Sequence, residues 1–170
     1  MIDREQLTGT TNYFEDFHEQ DVFTHARGRT VMEQENTLIT HMTMNTASTH
    51  FNRDLMKTYM DGRFRDRLVN GGFTLSLVIG LTSQDMAENA IADIGLTEVR
   101  MHSPVFPGDS LYARSTVLRT EDRPDRADAG LLTYRFTGFN QDGDTVVEGT
   151  RTVLVARRSA VGPSSRRVSS

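Results

Sequence analysis

Leu68–Ala87 reads LVNGGFTLSLVIGLTSQDMA. Phe73, Leu75, Leu77, Val78, Ile79 and Leu81 point in nearly every direction around a helix axis. A helix apolar on all sides is predicted to be buried. This one is too short, and too polar at its C-terminal end, to span a membrane. Asn70 stands where a side-chain oxygen can cap the first turn, and Gly71 and Gly72 leave the first backbone N–H groups uncovered.

Downstream the hydrophobic period changes to two. GLTEVRMHSPV (95–105), DSLYARSTVLRTE (109–121), GLLTYRFTGFN (130–140) and TVVEGTRTVLVA (145–156) read as four strands. FPGD, DRPDRADA and NQDGD between them are turn and loop chemistry. Sequential strands on short connections predict an antiparallel sheet, and one buried helix against it is an α+β layout. Upstream, alternation predicts a strand over Phe23–Met32. The spacing of Leu38, Ile39 and Met42 predicts a helix with that face inward, and Thr30 followed by Glu33 has capping-box spacing. A polar break, NTASTHFN (45–52), precedes a second helical stretch with Leu55, Met56, Tyr59 and Met60 on one face.

The chain has 170 residues, enough for one domain with a proper core, here placed at residues 12–158. Residues 1–11 read as a flexible polar arm and the Ser/Arg-rich residues 159–170 as a disordered tail. With 19 basic and 23 acidic residues the net charge is −4, which disfavours nonspecific nucleic-acid binding. No cysteine is present, so disulfides and thiolate zinc sites are excluded. With no apolar run long enough for a membrane span and no signal-peptide core, a cytoplasmic protein is expected.

The order of one long helix and a long antiparallel sheet resembles the hotdog fold, in which a curved sheet wraps a central helix. RGRTV (27–31), the N-x-x-x-x-H loop at Asn45–His50, LVNGGFTLSLVIGL, SPVFPGDSLYARSTVL and NQDGDTVVEGTRTVLVA together are similar to the MaoC-like dehydratase and (R)-type enoyl-CoA hydratase family. The wording is nearest to itaconyl-CoA and mesaconyl-CoA hydratase-like proteins.

That resemblance implies hydration or dehydration of an enoyl-CoA thioester, with no metal or redox cofactor beyond the CoA of the substrate. It also implies a homodimer or higher homo-oligomer. The family loop, D-x-N-P-x-H, puts its histidine on His50 and its aspartate on Asn45. Its usual R-x-x-H-G reads Arg67-Leu68-Val69-Asn70-Gly71 here. Gly71 therefore matches the glycine whose N–H meets the thioester oxygen, with Asn70 and Gly72 beside it. An amide cannot act as a general base; it orients a water as donor or acceptor. In one reading His50 alone takes the proton from water and returns it to C2 while Asn45 holds the water. In the other the site binds acyl thioesters and does different chemistry, as a hotdog thioesterase or as a non-catalytic binding module. A thioesterase needs a carboxylate aimed at water, and none stands in the loop before Asp54.

Each residue also has a plainer account. A lone histidine in a polar loop is more often a surface or capping residue, Asn45 fits a helix C-cap, and Gly71–Gly72 fit close helix packing. Arg63, Arg65 and Arg67 precede the helix, and a guanidinium there suits a CoA phosphate or a substrate carboxylate as well as a solvated turn. Glu35 is a reserve proton donor, and His41, four residues before Asn45, lies near the loop if its helix persists. The spacing of His18, His25, His41 and His102 matches no metal-ligand pair.

Overall fold

The computed structural model describes residues 3–6 and 12–160. In chain order the elements are β1 (Asp3–Gln6), β2 (Val22–His25), β3 (Arg29–Thr30), α1 (Glu33–Met42), α2 (Arg53–Met56), α3 (Gly71–Met86), β4 (Ala90–Met101), β5 (Ser110–Asp122), β6 (Ala129–Phe139) and β7 (Thr145–Ala156). The strands form one sheet in the order β1-β2-β5-β6-β7-β4, with β3 pairing on β5. Every pairing is antiparallel except that of β1 with β2. β1 falls within the expected arm. The rest of that arm and the tail from residue 161 onward lie outside the described residues.

Helix α3 packs on one face of the sheet, over β5 and β6 with β2 and β7 at its flanks. Thr74, Val78, Thr82, Asp85 and Met86 are its buried positions. Val78 belongs to the same core cluster as Leu132, Tyr134 and Phe136, where each large apolar side chain contributes about 1.5–3 kcal/mol. Gly138 permits this approach, because a Cβ there would overlap the Val78 methyl groups. The helix is not buried all round, contrary to expectation. Phe73, Leu75, Leu77, Ile79 and Leu81 are only partly covered, and Ser76 and Gly80 face out. At the far end His25 Nδ1 lies 2.6 Å from Asp85 Oδ2 and His25 Nε2 lies 2.9 Å from Ser115 Oγ. This buried row ties the end of α3 to β2 and β5.

Other sequence expectations shift in instructive ways. The strand expected over Phe23–Met32 is two, broken at Ala26–Gly28, where the Tyr112 ring packs against Gly28. β4 starts five residues earlier than its alternation suggests. Register shifts between Ala90 and Ala92, Asp93 and Gly95, and Thr97 and Arg100 obscure the period. The Thr30–Glu33 capping box does not form. Thr30 Oγ1 meets the Ser110 hydroxyl at 2.7 Å, and Glu35 accepts the Met32 N–H at 2.9 Å at the start of α1.

The face of α1 is inverted relative to the expected one. Leu38 and Met42 are 60% and 70% exposed, while Asn36 and Thr40 are fully buried.

Candidate active site

Helix α1 ends at Met42. Met44 takes a left-handed φ of 53°, and Asn45 N–H donates to Thr40 O at 2.9 Å. The Asn45 side chain then closes a local turn, its Oδ1 accepting the Ala47 N–H at 2.9 Å. A short 3-10 turn, Ser48–His50, follows. It docks on the segment before α3: Leu68 N–H donates to Thr49 O at 2.9 Å, and His50 Nδ1 lies 2.9 Å from Leu68 O. A carbonyl oxygen only accepts, so Nδ1 is the donor, and in the neutral ring Nε2 then has the lone pair. His50 is half-buried. His41 does lie beside this turn, its ring edge-on to Phe51 at 6.2 Å between centroids.

The N-terminus of α3 is set by Asn70, whose Oδ1 accepts the N–H groups of Gly72 and Phe73 at 2.9 and 3.4 Å. Asn70 is thus the N-cap. Its side chain is turned to the helix rather than to a ligand, and Gly72, expected beside Gly71 as a donor, has its N–H taken up by that cap. Among the described residues none accepts from the Gly71 N–H. It remains the open donor at the positive end of the longest helix, where developing negative charge is favoured. Met101 of β4 lies against Gly71, its Cε 3.5 Å from where a Cβ would stand.

Arg65 and Arg67 are tied to the scaffold, whereas Arg63 is exposed. Arg67 is buried and pairs with Glu33, which also receives Arg53 at 3.1 Å, while Arg53 holds Asp66 at 3.0 Å. This network clamps the start of α1 to the segment leading into α3. Arg65 pairs with Asp109 and stacks 4.6 Å over the Phe106 ring. Asp109, of the PVFPGD motif, is itself buried. Its Oδ2 accepts the Phe106 N–H at 2.8 Å, and its backbone carbonyl accepts the Val31 N–H. Glu35 is occupied by Arg29 and the Met32 N–H rather than poised as an acid. Asp54 faces solvent, held below the usual carboxylate range by its hydrogen bond and charge pair with Lys57.

The residue that sequence reasoning missed is Asn36. It sits on a helix whose apolar residues suggest the opposite face inward. The local signal for it was the short polar positions of α1, Asn36 and Thr40, four apart.

The sequence model of mesaconyl-CoA hydratase matches residues 1–169. A mesaconyl-CoA hydratase of Cereibacter sphaeroides is 40% identical over 88 residues, covering 52% of this chain and 25% of the relative. Three mesaconyl-CoA hydratases and a beta-methylmalyl-CoA dehydratase match, and the chain spans 25–45% of their length. Among solved structures, a putative MaoC domain protein dehydratase from Chloroflexus aurantiacus superposes with a TM-score of 0.80 at 29% identity, covering 88% of this chain and 46% of that one. A Mycobacterium tuberculosis protein with a double hotdog fold superposes with a TM-score of 0.78 at 22% identity, covering 91% of this chain and 47% of that one. The fold of this chain is therefore a hotdog.

Proposed function

The chain belongs to the mesaconyl-CoA hydratase family, and from that we propose that it adds water to, or removes it from, a short, branched or carboxylated enoyl-CoA thioester of the mesaconyl-CoA kind. The observation that carries this reading is the 2.9 Å contact of His50 Nδ1 with Leu68 O, which leaves Nε2 as a base. Nε2 takes a proton from water as the water oxygen bonds to C3. The C2–C3 π electrons move toward the thioester, whose oxygen gains negative charge and accepts from Gly71 N–H. The imidazolium then gives its proton to C2 on the same face, and the thioester carbonyl re-forms. Asn45 has its Oδ1 engaged in the turn, so its Nδ2 is the group that holds the water oxygen. The step uses no metal or redox cofactor; CoA is part of the substrate. The reaction belongs in the cytoplasm, which the cysteine-free composition suits.

Hydrolysis of the thioester is weaker as an alternative. Asp54, the nearest acid after the loop, is exposed and paired with Lys57 at 2.7 Å, away from any role as a buried base. Incubation with mesaconyl-CoA and other enoyl-CoAs, followed by mass, separates the possibilities. A gain of one water supports hydration, release of free CoA supports a thioesterase, and no change supports a binding module. Asn45→Asp is expected to retain or raise the hydration rate, since a carboxylate keeps the Ala47 contact and adds an acceptor for the water. An unchanged rate in Asn45→Ala, which has neither the donor nor the acceptor, would count against Asn45 as the water holder.

The same reading pairs two copies along β4. This strand is the sheet edge beside β7, and Ile91, Ile94, Leu96, Val99 and Met101 on it are 36–52% exposed. A long apolar edge invites pairing with another strand. The half-covered flanks of α3 would be closed in the same step. Sedimentation is expected to give twice the 19.1 kDa chain mass, and a monomer at micromolar concentration would refute the pairing.

A further inference from the structure

We propose that Asn36 is a positioning residue that fixes the base and the oxyanion donor relative to each other; this rests on the roles given above to His50 and Gly71. Asn36 is 0% exposed. Its Nδ2 donates to His50 O at 3.0 Å and to Leu68 O at 3.1 Å. Its Oδ1 accepts the Asn70 N–H at 2.9 Å. One amide thus holds the backbone of the base, the carbonyl that sets the base's tautomer, and the cap residue immediately before Gly71. Among the described residues no other side chain bonds to both the His50 turn and the start of α3.

The chemistry of the group fits that task. A primary amide offers two donors and a carbonyl acceptor, and all three directions are used here. Asparagine is a mediocre residue for a helix interior, so helix propensity does not explain its place in α1. A buried amide is tolerated when its hydrogen bonds are made, and such a network specifies one arrangement of its partners. The inward turn of Asn36 and Thr40, with Leu38 and Met42 left outside, follows from the same requirement. The helix covers a polar site rather than the core.

With Asn36→Ala, His50 O and Asn70 N–H lose their partner and the two catalytic groups can drift apart. A displacement on the order of 1 Å in a reacting pair lowers the rate about 100-fold. The expected result with mesaconyl-CoA is a kcat lower by that factor, with the affinity for the saturated acyl-CoA nearly unchanged. Asn36→Asp keeps the acceptor for Asn70 and loses both donors toward the base side, so it is expected to lose kcat similarly. Whichever variant melts nearer the wild type decides the test. In a His50→Ala background, Asn36→Ala should have little further effect on the residual rate, because residues acting as one unit are not additive. Equal fold losses in both backgrounds, or an unchanged kcat in both Asn36 variants while His50→Ala is inactive, overturns the role of Asn36 alone. A wild-type rate in His50→Ala overturns the underlying reading of the site and the positioning role with it.

Discussion

Replacing His50 by alanine is expected to lower kcat for mesaconyl-CoA hydration by about 10³–10⁴-fold, the upper part of the range for a general acid–base group. The size follows from the lack of a second base. Where the MaoC-like loop that this stretch resembles has an aspartate this chain has Asn45, and Asn45 spends its carbonyl oxygen on the Ala47 N–H. In the proposed reaction, proton removal from water and proton delivery to C2 therefore fall to one imidazole. The substitution should leave the fold standing. The turn is held by backbone bonds, His50 N–H to Ala47 O at 3.1 Å and Leu68 N–H to Thr49 O at 2.9 Å, and by Asn36 on His50 O. Far-UV circular dichroism and the melting temperature should stay near the wild type while turnover, followed by mass, is lost. Full activity in a folded His50→Ala protein would falsify the assignment of the base.

Much of this was legible in the chain because it depends on local chemistry. The central helix announces itself through continuous apolar residues with Asn70 and two glycines at its start, and β5, β6 and β7 through alternation. The loop histidine and the glycine at the helix start could be placed because short motifs carry them. What was not legible depends on what each element packs against. The periodicity of α1 is real, but two faces share it. Leu38, Ile39 and Met42 mark one and Asn36 with Thr40 the other, and only the polar site beneath the helix decides which turns in. The edge strand β4 loses its period at three register shifts. Arg65 and Arg67, before α3, looked suited to anions in solution. Their carboxylate partners, Glu33 and Asp109, lie 34 and 44 residues away in sequence, and no spacing rule connects them.

Asp85→Ala should show the reverse of His50→Ala: a large loss of stability with the chemistry intact. Asp85, His25 and Ser115 line up as carboxylate, imidazole and hydroxyl, the order found in nucleophilic hydrolases. Ser115 is fully buried, so no thioester can reach it and the row serves the fold. Removing the carboxylate strands the His25 N–H in the interior and opens a void beside it. Breaking one partner of a buried pair costs about 3–5 kcal/mol. Against a total of about 5–15 kcal/mol for a domain, that is a substantial share. Urea unfolding followed by circular dichroism should show it as a fall in the midpoint. Replacing His25 and Asp85 with leucines and Ser115 with alanine should cost less than Asp85→Ala alone, since all three members of the row are then apolar and none is left orphaned. Asp85 stands fourteen positions beyond Gly71 on α3, roughly 20 Å along the axis at about 1.5 Å per residue, too far to touch the reacting atoms. Below its melting temperature the Asp85→Ala protein should therefore hydrate mesaconyl-CoA at close to the wild-type rate. An unchanged urea midpoint would show that the buried row is not a stabilising tie. A loss of the hydration rate with stability preserved would instead give the row a part in the chemistry.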